Sequence, residues 1–190
     1  LSPAGPYQPV AGGETLRLFS CGRLNIVKGH QDLMEAVRLL RDRGRDVTLA
    51  IAGEDDAGGT GYHHVLEAKI GELGLRDHVR LLGPIDASAV KTQIQRAHVF
   101  ALASWHEPLG VALMEAMSCG IPTIGTDAGG VAELIRDGVD GVLVPPKSPE
   151  ALAGAIAALA DDPDRARKLS GQGRARIVEG FHSGRGAQML

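Results

Sequence analysis

Two carboxylates, Glu107 and Glu115, bracket the otherwise nearly apolar run "EPLGVALME" (107–115). A buried carboxylate without a partner is costly, so each must meet a cation or a set of hydroxyls. Glu115 has two readings. It is a helix-edge acid, salt-bridged or reaching to solvent, or it accepts hydrogen bonds from a cis-diol such as a ribose, which two hydroxyls satisfy without neutralising it. Glu107, just ahead of the helix, suits a sugar's hydroxyls or positive charge developing at an anomeric carbon. Two cations, Arg23 and Lys28, share the segment "GRLNIVKG" (22–29). They are solvated surface charges or a clamp for a diphosphate. Opposite charges 4 Å apart gain about 4 kcal/mol at an effective dielectric near 20, and cations at a leaving diphosphate favour the transition state over the ground state. The amides of Leu109, Gly110 and Val111 open the helix between the two acids, and the first amides of a helix bind anions. "AGGV" (128–131) opens a second helix in the same way.

Alternating strands and helices must position these groups. Apolar runs predict strands over 15–22, 46–53, 78–83, 98–104, 121–126 and 141–145. Amphipathic segments predict helices over 30–44, 62–74, 88–97, 109–119, 130–138, 148–161 and 163–181, the last two opening on proline near the first turn. Nearly continuous apolar strands separated by helices imply a parallel sheet covered on both faces. The expected fold is α/β, a Rossmann-like doubly wound parallel sheet of about six strands. Ligands then bind outside the carboxyl ends of the strands, in "GRLNIVKG", "GEDDAGGTG", "GPID", "SWHEPLG" and "TDAGGVAE". Neither GxxxxGK[ST] nor GxGxxG after the first strand is present, which disfavours a P-loop hydrolase and an ordinary dinucleotide site.

The 190 residues suit one domain, with 44% hydrophobic and 23% charged residues. Only 3% aromatics and a net charge of −3 argue against nucleic acid as a partner. Cys21 and Cys119 lack CxxC spacing and read as small buried hydrophobes in a reducing compartment. No run is long and apolar enough to span a bilayer, and no cleavable leader is visible. The expected setting is cytoplasmic, and the basic segment from Arg165 to Arg176 is read as a solvated helix face. Such a face is also compatible with peripheral contact at an anionic inner membrane surface. Residues 1–14 are expected to be a loose lead or interdomain segment, 15–181 the domain and 182–190 a tail. The start at Leu1 leads us to expect a piece of a longer protein. His63 and His64, with Asp55 and Asp56, are not expected to hold a metal, because neighbours on a helix point apart. His106 beside Glu107 reads as a loop residue or part of the cleft wall.

"GRLNIVKGHQDLMEAV", "EPLGVALMEAMSCGIPTIGTDAGGVAELIRDGVDGVLVPP" and "SPEALAGAIAALADDP" together resemble the nucleotide-binding half of retaining glycosyltransferases of family 4, which have the GT-B fold. The resemblance covers roughly residues 15–180. The E-x7-E spacing gains its specificity from the GRL…KG before it and the GG…E after it. The resemblance implies that Arg23 and Lys28 bind the donor's diphosphate and that Glu107 contacts the donor sugar. It places backbone at sugar and phosphate on Leu109, Gly110 and Val111, the ribose on Glu115, and the base at Gly83, Pro84 and Ile85. It implies a UDP-, GDP- or ADP-sugar donor, a hexosyl group transferred with retention, no metal and no other cofactor. The diphosphate would help deprotonate the acceptor. Ala103 stands before Ser104 where the family usually has proline. The amino-terminal domain that supplies the acceptor site in this family is expected to be missing, so no histidine is assigned as catalytic and the chain alone is expected to be inactive. Two other readings stay open: a sugar-nucleotide 2-epimerase, against which the EPLG…E block speaks, and a nucleotide-binding module without turnover.

Overall fold

A computed structural model of the chain describes residues 1–59 and 61–182, the side chains of the last two excepted; of the tail expected at 182–190, residues 183–190 lie outside the described residues. Strands β1 (Leu16–Cys21), β2 (Val47–Ala52), β3 (Val79–Gly83), β4 (Val99–Ala101), β5 (Thr123–Thr126) and β6 (Val142–Val144) form one sheet in the order β3-β2-β1-β4-β5-β6. Every pairing is parallel. This is the doubly wound order, whose direction of winding reverses between β1 and β4.

Alternation along each strand sends side chains to two apolar layers. On one face Leu18, Leu49 and Ile51 pack with Leu33, Val37 and Leu40 of α1 (His30–Asp42), Leu66 and Ile70 of α2 (Tyr62–Glu72), and Leu152 and Ile156 of α6 (Pro149–Asp161). On the other, Phe19 and Phe100 pack with Ile94 of α3 (Ala87–Arg96), Leu113 and Met117 of α4 (Val111–Ser118), Val131 and Leu134 of α5 (Val131–Leu134), and Ile177 of α7 (Pro163–His182). Phe19 and Phe100 meet edge to face at 5.9 Å, a favoured aromatic geometry. The cap chemistry is local. Asp86 accepts from the Ala89 amide at 2.8 Å to open α3, and Ser148 accepts from the Ala151 amide with Pro149 in the first turn of α6.

Three expectations are corrected. The helix expected over 109–119 starts only at Val111, because Gly110 takes a left-handed φ of 70° and ends the preceding turn. The helix expected over 130–138 is a single turn: Ile135 is extended, and buried Asp140 draws back the Arg136 amide and guanidinium, both at 2.7 Å. The basic face of α7 is not simply solvated. Arg174 donates to the Ser118 carbonyl at the end of α4, and Arg176 to the Leu134 and Glu133 carbonyls at the end of α5, where helices leave acceptors unpaired. Residues 1–14 form no helix or strand, and two of them are anchored: Tyr7 donates to the His98 carbonyl at 2.7 Å, and Glu14 meets His98 Nε2 at 3.2 Å.

Candidate functional site

The segments that follow β1 and β4 flank the point where the winding reverses, and they touch through backbone. A β-carbon on Gly29 would stand 1.8 Å from the Ala103 carbonyl oxygen. The Trp105 amide donates to the Val27 carbonyl at 2.7 Å. The segment after β4 is fixed in turn to the one after β5: the Gly130 amide donates to the Glu107 carbonyl at 2.9 Å, and a β-carbon on Gly130 would meet the Pro108 oxygen at 2.1 Å. Glycine is required where backbones approach this closely, so the glycines of "VKG" and "AGG" lock three segments into one rim.

At that rim Lys28 Nζ lies 2.7 Å from Glu107 Oε2. The 3₁₀ turn Ile26–Lys28, capped by the Asn25 side chain, presents the lysine. Glu107 is held from several sides: Ser104 Oγ donates to Oε2 at 3.3 Å and the Gly110 amide to Oε1 at 3.4 Å. Glu107 is buried and Lys28 partly so, so neither is the freely solvated surface charge that the sequence left open. The pair borders a hollow of about 280 Å³ lined by Cys21, Gly22, Lys28, Leu102, Glu107, Leu109 and Val111 among others. Cys21 and Gly22 also line a second hollow of about 260 Å³, with Arg23, Gly53, Glu54, Pro84, Ile85 and Val90. Two lobes joined at the end of β1 make one trough along the carboxyl ends of β1, β2 and β4.

The predicted residues divide between these lobes. Lys28, Glu107, Leu109 and Val111 line the first. Arg23, Pro84 and Ile85 line the second, where the proline and isoleucine form an apolar wall; Gly83 ends β3 beside it and accepts from the Gly53 amide at 3.0 Å. Arg23 is half exposed and reaches toward Glu54 and Asp56 at 3.8 and 3.9 Å. The helix-opening amides also change. Leu109 lies outside α4 and Gly110 already serves Glu107, which leaves the first turn of α4 itself, from Val111, to face an anion. The turn opened by "AGGV" is too short to be a second anion site.

Glu115, one turn into α4, is half buried, and its carboxylate has no hydrogen-bond or ion-pair partner among the described residues. The salt-bridged reading is thus not the one the fold adopts. It lies near Cys21: burial and then the Glu115 carboxylate push the Cys21 thiol up to about 12, against Lys28. Cys21 is a protonated, unreactive part of the trough wall.

Sequence reasoning missed the supports beneath. His30, fully buried at the start of α1, has Nε2 3.1 Å from the Arg23 carbonyl and so holds the β1 segment from below. Burial drops its pKa from 6.5 to about 4. Trp105 donates from Nε1 to buried Asp32 at 2.7 Å, and Lys147 Nζ lies 4.4 Å from the indole centroid. The histidine directly after "KG" was the available signal for the first; nothing in the sequence pairs Asp32 with Trp105.

His63 and His64 do not point apart as expected: their ring centroids are 3.8 Å apart. His106 is exposed beside the trough. A larger hollow of about 530 Å³ lies toward the amino ends of β1–β3, with Arg17, Arg80 and Arg96 in its wall. It lacks the glycine-built rim, and the acid in its wall, Asp77, is exposed. Among the described helices none is long and apolar enough to cross a membrane.

Against known proteins, residues 8–176 match the family described as glycosyl transferases group 1. An alpha-D-kanosaminyltransferase of Streptomyces kanamyceticus is 34% identical over 149 residues, covering 78% of this chain and 37% of that protein. The crystal structure of Anabaena HepE in complex with UDP-glucose superposes with a TM-score of 0.82 at 27% identity, over 88% of this chain and 45% of that one. The C-terminal domain of a group 1 glycosyl transferase, LpcC of Francisella tularensis, superposes with a TM-score of 0.81 at 26% identity, over 97% of this chain and 96% of that domain. The chain spans well under half the length of the curated relatives it matches.

Proposed function

The chain belongs to the glycosyl transferases group 1 family, and from that premise we propose that it is the donor-binding half of a retaining, family 4 enzyme that moves a hexosyl group from a nucleotide-diphosphate sugar to an acceptor held by another domain. One observation carries this reading: the Lys28–Glu107 pair at the reversal of the winding, with the partnerless Glu115 carboxylate close by. This reading lays the donor's parts out along the trough and the start of α4. The base lies along Pro84 and Ile85, the ribose hydroxyls satisfy Glu115, the diphosphate takes Lys28 and the first turn of α4, and the sugar reaches Glu107.

The diphosphate competes with Glu107 for Lys28. A doubly charged group offers the ammonium more than one carboxylate does, so donor binding frees Glu107 to take the sugar's hydroxyls. As the anomeric bond breaks, charge gathers on the diphosphate oxygen beside Lys28 and is stabilised there, while Glu107 faces the positive charge left on the sugar. The leaving oxygen accepts the acceptor's proton on the same face, and configuration is retained. No metal is needed in this scheme, because Lys28, Arg23 and the helix amides supply the positive field. Complexes of Anabaena HepE with UDP and UDP-glucose make a UDP-sugar the first donor to try. We place the enzyme in the cytoplasm.

A thermal-shift panel of UDP, GDP and ADP, followed by incubation with radiolabelled donor, tests the reading. The expected result is binding of one nucleotide and no transfer until the acceptor domain is supplied. Epimerised sugar in the mixture, or no binding of any nucleotide, would overturn it.

A further inference from the structure

We propose that His63, His64 and Glu67, in the first turns of α2, form a site for a divalent transition ion of the zinc class, outside the donor trough. One potential ligand atom from each residue lies within 4.8 Å of the others. His64 Nδ1 is already 3.5 Å from Glu67 Oε2. Zinc bonds of about 2.0–2.2 Å put tetrahedral ligand atoms roughly 3.5 Å apart, so rotation of the exposed His64 and Glu67 side chains toward the half-buried His63 would close the set.

The site has built-in support. Asp55 accepts from the His63 amide at 2.9 Å and lies 2.5 Å from His63 Nδ1. An ionised carboxylate only accepts, so Nδ1 donates to it, and in the neutral imidazole Nε2 keeps its lone pair for an ion. A carboxylate behind a ligating imidazole is the arrangement that fixes its tautomer and raises its basicity. Two imidazoles and one carboxylate suit zinc, cobalt or nickel better than magnesium or calcium, which prefer all-oxygen sets.

The ion performs no step of sugar transfer. It ties the first turns of α2 to the segment after β2, through Asp55. The next residue, Asp56, accepts from Asn25 at 3.0 Å and faces Arg23 at 3.9 Å. Metal binding therefore stiffens the outer wall of the second lobe.

Calorimetric titration of the tag-free chain with zinc chloride, repeated with cobalt(II) and its visible spectrum, tests the site. One ion per chain is expected, with a tetrahedral cobalt spectrum. His64→Ala and Glu67→Ala, both at exposed positions, should weaken binding at least about tenfold, and Asp55→Asn about 10–100-fold as the support is lost. Measured without metal, UDP affinity in His64→Ala should match that of the unaltered chain, which keeps this test separate from that of the donor site. Failure of the unaltered chain to take up one ion, or equal affinity in the His64 and Glu67 variants, would overturn the proposal.

Discussion

On the proposed reading Lys28 holds a donor's diphosphate and Glu107 its sugar, and substitutions should separate the two roles. Lys28→Ala removes a charge-assisted hydrogen bond worth about 1.5–3 kcal/mol, so affinity for a nucleoside diphosphate should fall about 10–100-fold. Glu107→Gln removes the competitor for Lys28. It should leave nucleoside diphosphate binding equal or tighter while weakening binding of the full sugar donor. Calorimetry with both ligands reads the difference, and equal losses for both would contradict the assignment of Glu107 to the sugar. His30 gives a pH signature. Its folded pKa of about 4 lies below its ordinary 6.5. As the pH falls through 6.5 the unfolded chain takes up a proton that the folded chain refuses until about 4. Stability should therefore drop across that window, by about 3 kcal/mol from this group. The shift of His98 has the same direction and adds to it. His30→Gln should flatten the profile by about one proton in urea melts taken from pH 7 to pH 4.

Among the elements, glycines divide into those a contact requires and those it does not. Gly29→Ala puts a β-carbon against the Ala103 carbonyl in a left-handed conformation. Overpacking of about 1–3 kcal/mol and backbone strain of about 1–2 kcal/mol should together cost roughly 3 kcal/mol. Gly154, in the middle of α6, has nothing within 4 Å of a β-carbon, so Gly154→Ala should stabilise by about 0.5–1 kcal/mol. Urea melts of the two variants should move in opposite directions. The same contrast explains what could be read in advance. Periodicity located all six strands and α1, α2, α3, α6 and α7, because it reports which face is buried. It could not report that Gly110 would turn left-handed and delay α4, nor that Asp140 would hook Arg136 and stop α5. The docked arginines of α7 were equally hidden, since Ser118 and Leu134 present only carbonyls to them. Glu107 and Glu115 were legible as acids without partners. The meeting of Glu107 with Lys28, 79 residues away in sequence, became visible only when the parallel sheet set the β1 and β4 segments side by side.

For the molecule as a whole, the trough is open on its outer side. Leu109 and Val111 are 69% and 53% exposed at its edge, where the proposed donor and acceptor domain would cover them. If the donor binds here as proposed, this open rim leaves water at the anomeric carbon, so the chain alone should bind donor and transfer nothing. The claim on which all of this rests is that the diphosphate displaces Glu107 from Lys28 while the ribose takes Glu115. A crystal structure of the chain with bound UDP tests it most directly. The account predicts phosphate oxygens within hydrogen-bond distance of Lys28 Nζ, the 2.7 Å contact to Glu107 broken, and both ribose hydroxyls on the Glu115 carboxylate. A nucleotide bound elsewhere, with the Lys28–Glu107 pair intact, would contradict it.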